Sequence, residues 1–545
     1  MNQRENVYQD HNVRIGTVVG GSLSQGTDIK LEQTTSVEEI KSGHFITIRG
    51  STRRFFGVVT DISLEHSDSG ITHQVTGDTE EHIISALKGV MTYGKVSVST
   101  NLVLPLIEGS GEGVEPAKSI PDHFSSVHMA SERDIQTVFG EEGEDHFWVG
   151  SPLDMETKVC LDLDEFVKRS VGVFGKSGTG KTFLTRLLLV GVLQHDKASA
   201  LIFDMHSEYG QSGQDTDRNM TVKGLKQLFP EKVSVFTLDE ESSRRRNSSY
   251  DVAAKIGYSE IEPEDLELLR ESLNLSDVAV NAAYFLEQKY GSREWFEKFI
   301  GLNGTEEVYE LAQELGVAPQ ALRALYERLN RFKRFGFLVS DSNQNVAMQM
   351  IEHVERGNHV VLEFGRYGDD LAAYILVSNL LSRRVHRRYV ELKEQSLGNA
   401  SGEPRPVMIV LEEAHKFLNP GISNQTIFGT IARELRKYNV TIMVIDQRPS
   451  AIDNEVMSQL GTRMTCLLDN ERDVESVLSG VSGSRQLRTV LSRMEPKQQA
   501  LIFGHAVPMP IVLKTRTYGT PEFYESLSSS ASSPEELQKE IDELF

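Results

Sequence analysis

The run Gly175-Lys-Ser-Gly-Thr-Gly-Lys-Thr182 carries the residue types and spacing of a phosphate-binding loop, G-x-x-x-x-G-K-T. Glycines at these positions let successive backbone N–H groups converge on phosphate oxygens at a helix N-terminus, where those donors lack intrahelical partners. All eight residues, Gly175, Lys176, Ser177, Gly178, Thr179, Gly180, Lys181 and Thr182, are expected around a bound ATP or GTP, with Lys181 reaching the β and γ phosphates and Thr182 holding Mg²⁺. A plain glycine turn accounts for the pattern less well, because the apolar run Ser170-Val-Gly-Val-Phe precedes it and the helical run Phe183-Leu-Thr-Arg-Leu-Leu-Leu follows.

Hydrolysis, as distinct from binding, needs a group that activates water. Glu412-Glu413-Ala-His415 follows the apolar run Val407-Met-Ile-Val-Leu, which places two carboxylates at the carboxyl end of a strand, where open α/β sheets bind ligands. Glu412 is expected to support the Mg²⁺ shell and Glu413 to orient or deprotonate the attacking water. The competing reading is the first turn of a solvated helix.

Two further strand ends carry polar residues. Leu201-Ile-Phe-Asp-Met-His-Ser-Glu-Tyr-Gly210 offers Asp204, His206 and Glu208 at a spacing that could pass for metal ligands, and we read it as a polar site beside the phosphates. In Val440-Thr-Ile-Met-Val-Ile-Asp-Gln-Arg-Pro449, Gln447 emerges beyond a buried strand and is expected to sense the γ-phosphate.

Positioning these groups calls for an α/β core. Short apolar runs rich in β-branched residues, at Ser170, Ala200, His359, Val407, Val440 and Gln499, alternate with helical patterns and suit parallel strands buried on both faces. Ahead of them, from Val13 to about Leu104, brief strand-like runs separated by Gly, Ser and Asp predict a small β-barrel. The expected layout is a barrel over 1–107, a Gly-, Pro- and Glu-rich connector over 108–147, the first part of a P-loop ATPase core over 148–220, a helical insertion over 221–346, the second part of the core over 347–520 and a tail over 521–545. Within the tail, Ser533-Pro-Glu-Glu536 matches a capping box, followed by Leu537, Ile541 and Leu544 on one helical face.

Composition narrows the function. The 545 residues suit several folded units, and 39% hydrophobic with 25% charged residues is the balance of a globular chain. No basic-then-apolar leader and no membrane-length apolar run are seen, so a cytoplasmic location without membrane contact is expected. Cys160 and Cys466 are far apart and outside any paired spacing, which argues against a zinc site or a disulfide framework. A net charge of −22 opposes coating nucleic acid with the outer surface, so any DNA contact must be local. Arginine clusters at Arg244–Arg246, Arg331–Arg334 and Arg383–Arg388 are candidates for phosphate contact, although solvated faces or ion pairs are the commoner fate of such runs.

Taken in order, the Arg169–Thr182 segment, Asp204-Met-His-Ser-Glu-Tyr209, Glu412-Glu-Ala-His415, Ile431-Ala-Arg-Glu-Leu-Arg-Lys437 and Asp446-Gln-Arg-Pro449 resemble the HerA branch of the HerA/FtsK ATPases. The amino-terminal strands, with Ile15-Gly-Thr-Val and Phe56-Gly-Val-Val-Thr-Asp-Ile, resemble the HAS barrel of that family, so the resemblance covers nearly the whole chain. It implies a RecA-like core, a homo-hexameric ring threading double-stranded DNA through a central channel at the expense of ATP and Mg²⁺, and a NurA-type or other nuclease partner in DNA end processing. It also implies that Arg436 or Arg433 enters the neighbouring subunit's site as an arginine finger, and that Arg169 is a second interfacial arginine contacting nucleotide. Against the family pattern, Glu412 stands for the commoner aspartate, Leu435 for a glycine, Ser207 for a glycine and Asp446 for a threonine. An alternative of another class is an ATP-regulated ring scaffold for an effector nuclease in an antiphage complex.

Overall fold

The computed structural model describes residues 14–66, 92–105, 113–153, 155–215, 218–340, 345–398, 402–421, 423, 426–481, 484–492 and 494–529. The expected helix beyond Ser533 lies outside them. Contacts divide the chain into two compact units, one of Met1–Asp162, Cys466–Asp469 and Gly480–Arg516, the other of Leu163–Thr465, Asn470–Ser479 and Thr517–Phe545.

In the first unit a barrel is present, and it takes in Ser126–Met129 from the stretch expected to be connector, because that strand pairs with both Arg14–Ser22 and Phe45–Arg49. Six strands follow one another around it in the order Gly26–Leu31, Arg14–Ser22, Ser126–Met129, Phe45–Arg49, Arg54–His66 and Thr92–Leu104, and the last pairs back onto the first. That last pairing joins the two ends of the sheet into a ring. Alternation along the strands sends Ile15, Val18, Ile29, Ile46, Ile48, Val59, Val96, Val98 and Val127 into one buried core. Gly26 is required where the ring closes: its φ is +92°, and a β-carbon there would stand 2.4 Å from the Val98 carbonyl oxygen.

The same unit holds a four-stranded antiparallel set in the order Gln499–Gly504, Ile511–Thr515, His146–Pro152 and Val159–Asp162. The expectation that Gln499-Ala-Leu-Ile-Phe is a parallel strand is therefore corrected. A short reversal after Gly504 returns the chain as its antiparallel neighbour, and an apolar run alone does not encode strand direction.

The second unit is built on eight parallel strands in the order Val252–Ala253, Val233–Thr237, His359–Glu363, Ser199–Asp204, Val407–Glu412, Val440–Asp446, Val171–Phe174 and Thr462–Thr465. Every residue of His359–Glu363, Ser199–Asp204, Val407–Glu412, Val440–Asp446 and Val171–Phe174 is buried, as expected for strands with helices on both faces. The stretch read as helical from Thr221 does not begin as helix, because the β-branched run Val233–Thr237 pairs with His359–Glu363. Helices do follow, at Pro263–Leu273, Asp277–Tyr290, Trp295–Ile300, Thr305–Leu315 and Pro319–Leu329. Pro263 and Pro319 open theirs at the position where a missing N–H costs nothing, and Ser276 caps Asp277–Tyr290 by accepting the Ala279 N–H.

Cys160 and Cys466 are free and buried. No helix among the described residues is long and apolar enough to cross a membrane.

Candidate functional site

The strand Val171–Phe174 runs directly into the glycine loop, and the helix Lys181–Gln194 leaves it. Gly178 at φ +79° and Gly180 at φ +93° take the left-handed turns that fold the loop back on the helix N-terminus. Gly180 caps that helix with no side-chain acceptor, which keeps the first N–H groups available to a ligand. Thr179 braces the turn, its Oγ1 donating to the Lys176 carbonyl at 2.7 Å, while Lys176 and Ser177 are exposed. Gly175 donates its N–H to the carbonyl of Asp446 at 3.3 Å, tying the loop to the neighbouring strand.

Four neighbouring strands each end in a buried carboxylate: Glu363, Asp204, Glu412 and Asp446. Their uses differ. Asp204 is wholly buried, and its two oxygens accept the N–H groups of Glu208 at 2.7 Å, Tyr209 at 2.9 Å and Gly210 at 3.2 Å. Burial raises its pKa against those three bonds. Asp204, expected at the nucleotide, thus spends both oxygens on the backbone of the 204–210 loop. The loop's contribution to the phosphate end comes from Glu208, whose Oε2 accepts the Thr182 hydroxyl at 2.9 Å. Arg186, buried on the P-loop helix, donates to the Glu208 carbonyl and lies over the rings of Phe183 and Tyr518. His206 is exposed.

Glu412 is 7% exposed, and its Oε1 accepts the Tyr209 hydroxyl at 3.0 Å. Its Oε2 is buried with no hydrogen-bond partner among the described residues. Burial, with Asp204 and Glu208 close by, pushes its pKa up to about 8. A buried, unpartnered carboxylate oxygen in a group of three acidic side chains beside the Thr182 hydroxyl is an all-oxygen donor set that suits a hard divalent cation, and such an ion would neutralise the crowded charge.

Glu413 follows at φ +47°, a left-handed conformation disfavoured for a residue with a β-carbon. Its Oε1 accepts the Gln447 Nε2 amide at 2.8 Å, so the two groups expected to handle water and the γ-phosphate are in contact. His415 lies 3.5 Å from Glu413 Oε2 through Nδ1, and the same nitrogen is 2.9 Å from Asp446 Oδ2. Burial raises the Asp446 pKa, but the His415 and Arg448 bonds outweigh it and hold the carboxyl below its ordinary value. Glu208, Tyr209, Arg186, His415 and Asp446 carry these arrangements. Only Glu208 had a readable signal, the acidic residue following Asp204 at the strand end.

Arg433 is turned into its own chain, with Nη2 at 3.5 Å from the Ser423 carbonyl and Nη1 at 3.9 Å from Glu455 Oε2. Arg436 lies in the short turn Leu435–Tyr438, and its side chain is outside the described residues. Arg169 packs on Gly461, where a β-carbon would stand 2.6 Å from its Cδ. Two arginine clusters are consumed in ion pairs: Arg244, Arg245 and Arg246 with Glu240, Glu241 and Glu363, and Arg383, Arg384, Arg387 and Arg388 with Glu262, Asp265, Glu260 and Glu355. In the third, Arg334 pairs with Asp370, while Arg331 and Lys333 are exposed with no acidic partner among the described residues.

Residues 147–385 match the family model described as the central domain of helicase HerA. The chain is 24% identical over 514 residues, covering 92% of each protein, to a DNA double-strand break repair helicase HerA of Sulfurisphaera tokodaii. It is 23% identical over 450 residues to the protein of that name from Pyrococcus furiosus, covering 76% of this chain and 77% of the relative. Among solved structures, the plasmid coupling protein TrwB with an ATP analogue aligns at TM-score 0.46 and 11% identity, covering 72% of this chain and 94% of that one. That domain match, those relatives, and the P-loop with the paired glutamates two strands away mark the chain as a P-loop ATPase similar to the HerA helicases, with an amino-terminal β-barrel.

Proposed function

We propose that this ATPase works as a homo-hexameric ring that translocates on and unwinds double-stranded DNA passing through its central channel, in DNA end processing with a nuclease partner. The observation that carries the hydrolytic half is the Glu413–Gln447 contact of 2.8 Å on strand ends that flank the P-loop strand or its neighbour. The DNA half is supported by likeness to relatives named as DNA double-strand break repair helicases along 92% of the chain.

In this reading the eight residues from Gly175 to Thr182 hold the phosphates of ATP, and Lys181 places its ammonium on the β and γ phosphates. Thr182 and Glu412 hold Mg²⁺, with Glu208 fixing the Thr182 hydroxyl. Bound Mg²⁺ supplies charge neutralisation of the phosphate oxygens. Glu413 receives a hydrogen bond from the attacking water and orients it in line with the γ-phosphorus, while Gln447 steadies Glu413 by donating to Oε1. Arg436 is taken as the finger inserted into a neighbouring site, since Arg433 lies against the Ser423 carbonyl and near Glu455 within its own chain. Arg169 is assigned to the same subunit boundary.

Of the three arginine clusters, we assign DNA contact to Arg331 and Lys333, which are exposed with no acidic partner among the described residues, whereas the other two clusters are held in ion pairs. The deciding measurement is ATP hydrolysis by the size-characterised assembly with and without linear duplex DNA, using Lys181→Ala as the blank. Strong stimulation of a hexamer supports a DNA motor. Robust turnover indifferent to DNA overturns it in favour of a nuclease scaffold regulated by ATP.

A further inference from the structure

Asp446 ends the strand Val440–Asp446, is fully buried, and joins three parts of the nucleotide site. Its carbonyl accepts the N–H of Gly175, the first residue of the P-loop, at 3.3 Å. Its Oδ2 accepts both the backbone N–H of His415 at 2.7 Å and the ring Nδ1–H at 2.9 Å. Its Oδ1 accepts the Arg448 N–H at 2.7 Å, which turns the chain just after Gln447. The side chain that Gln447 supports is Glu413, and the His415 Nδ1 stands 3.5 Å from the other oxygen of that carboxylate.

Glu413 needs such support. A left-handed backbone at φ +47° is not self-sustaining for glutamate, and a side chain that must aim at water has to be fixed by its neighbours. We propose that Asp446 and His415 act together as positioning residues for Glu413, the carboxylate clamping the backbone and ring of His415 so that the ring and Gln447 flank the glutamate on its two oxygens. A threonine at position 446 would have one hydroxyl and could not accept from the His415 backbone, the His415 ring and the Arg448 backbone together.

This rests on the reading of Glu413 as the residue that orients water, and the test separates the two. Steady-state ATP hydrolysis and affinity for a non-hydrolysable ATP analogue are measured for full-length His415→Ala, His415→Gln, Asp446→Thr, the double variant His415→Ala/Asp446→Thr, and Glu413→Gln. The expected result is a fall in kcat of roughly 10- to 100-fold for His415→Ala and for Asp446→Thr, with KM and analogue affinity within about twofold. The double variant is no slower than the slower single one, because both substitutions break one unit. His415→Gln, which keeps an N–H within reach of Asp446, recovers part of the loss. The proposal is overturned if the two single effects multiply in the double variant, if kcat stays near wild type, or if KM rises at unchanged kcat. Should Asp446→Thr lose analogue binding through misfolding, His415→Ala, which leaves both backbone bonds to Asp446 in place, decides by its own kcat. Retained hydrolysis in Glu413→Gln overturns the reading of Glu413 itself; its loss there, with the dyad variants fully active, overturns the dyad alone.

Discussion

The hydroxyl of Thr182 donates to Glu208 Oε2 at 2.9 Å, joining the last residue of the P-loop to a loop that begins on a different strand. That bond decides which way the Thr182 hydroxyl oxygen presents its lone pairs. Glu208 is itself held at its carbonyl by Arg186 and at its N–H by Asp204, so its direction is set by buried groups. Replacing Glu208 by alanine keeps both backbone bonds and removes only the acceptor. The Mg²⁺ concentration giving half-maximal ATP hydrolysis is expected to rise roughly 10- to 100-fold, the usual cost of losing a group that orients a metal ligand. A Mg²⁺ titration that superimposes on the wild-type curve would sink this role.

Glu412 makes a pH prediction with a definite sign. In the unfolded chain it ionises near its ordinary 4.5, whereas the folded chain keeps the proton up to about 8. Between those values the folded state binds more protons than the unfolded state, so this group's effect on stability is most favourable below about 4.5, worsens as pH rises, and levels off above about 8. The slope is at most roughly 1.4 kcal/mol per pH unit. Urea unfolding of the nucleotide-free protein without Mg²⁺ at pH 6 and pH 7.5 should show this decline, and Glu412→Gln should flatten it. Parallel pH dependences in the two proteins would mean that Glu412 does not carry the proton.

Arg383 and the Arg331–Lys333 pair are predicted to fail in different assays. Arg383 has little exposure and donates to Asp265 Oδ2 at 3.0 Å and lies 2.8 Å from Glu262, so Arg383→Ala strands a fully buried carboxylate and should cost about 3 kcal/mol of stability. Arg331 and Lys333 are exposed on a turn anchored by buried Phe332 and Phe335, so Arg331→Ala/Lys333→Ala should leave Tm unchanged. In duplex DNA binding the double variant should lower the slope of log affinity against log salt by roughly 2 per subunit engaged, with equal loss on unrelated sequences. An unchanged salt slope would remove the turn from the DNA path.

How much of this was legible depends on what each feature encodes locally. The P-loop, Glu412, Glu413 and Gln447 all stand at the ends of short apolar runs, and a strand buried on both faces leaves its first polar residue at the sheet's edge, so spacing sufficed. The barrel was readable from brief strand-like runs between Gly, Ser and Asp turns, now the strands Arg14–Ser22, Phe45–Arg49 and Arg54–His66. The direction of Gln499–Gly504 was not, because the reversal that makes it antiparallel lies in the following turn. Nor was the strand Val233–Thr237, set among residues whose wider pattern is helical. What Asp204 bonds to was not legible either: an aspartate at a strand end can face ligand or bend back to cap its own loop, and here it accepts three backbone N–H groups within six residues. The His415–Asp446 bond spans 31 positions and has no sequence spacing to announce it.

Ser207 gives the last prediction. It sits at φ +57° in the loop that Asp204 ties down, a conformation that favours glycine. A β-carbon in that region costs roughly 1–2 kcal/mol, of which glycine gives back part as lost chain entropy on folding, roughly 0.5–1 kcal/mol. Ser207→Gly should therefore leave stability and kcat near wild type or slightly raised. Ser207→Val, which adds branching at the same φ, should lower Tm and, through the Asp204–Glu208 bond at 2.7 Å, loosen the carboxylate that holds Thr182. The valine variant should thus show a raised Mg²⁺ requirement along with its lower Tm. A valine variant with wild-type Tm and Mg²⁺ dependence would mean that position 207 does not hold the left-handed turn, and that Glu208 is oriented by Arg186 alone.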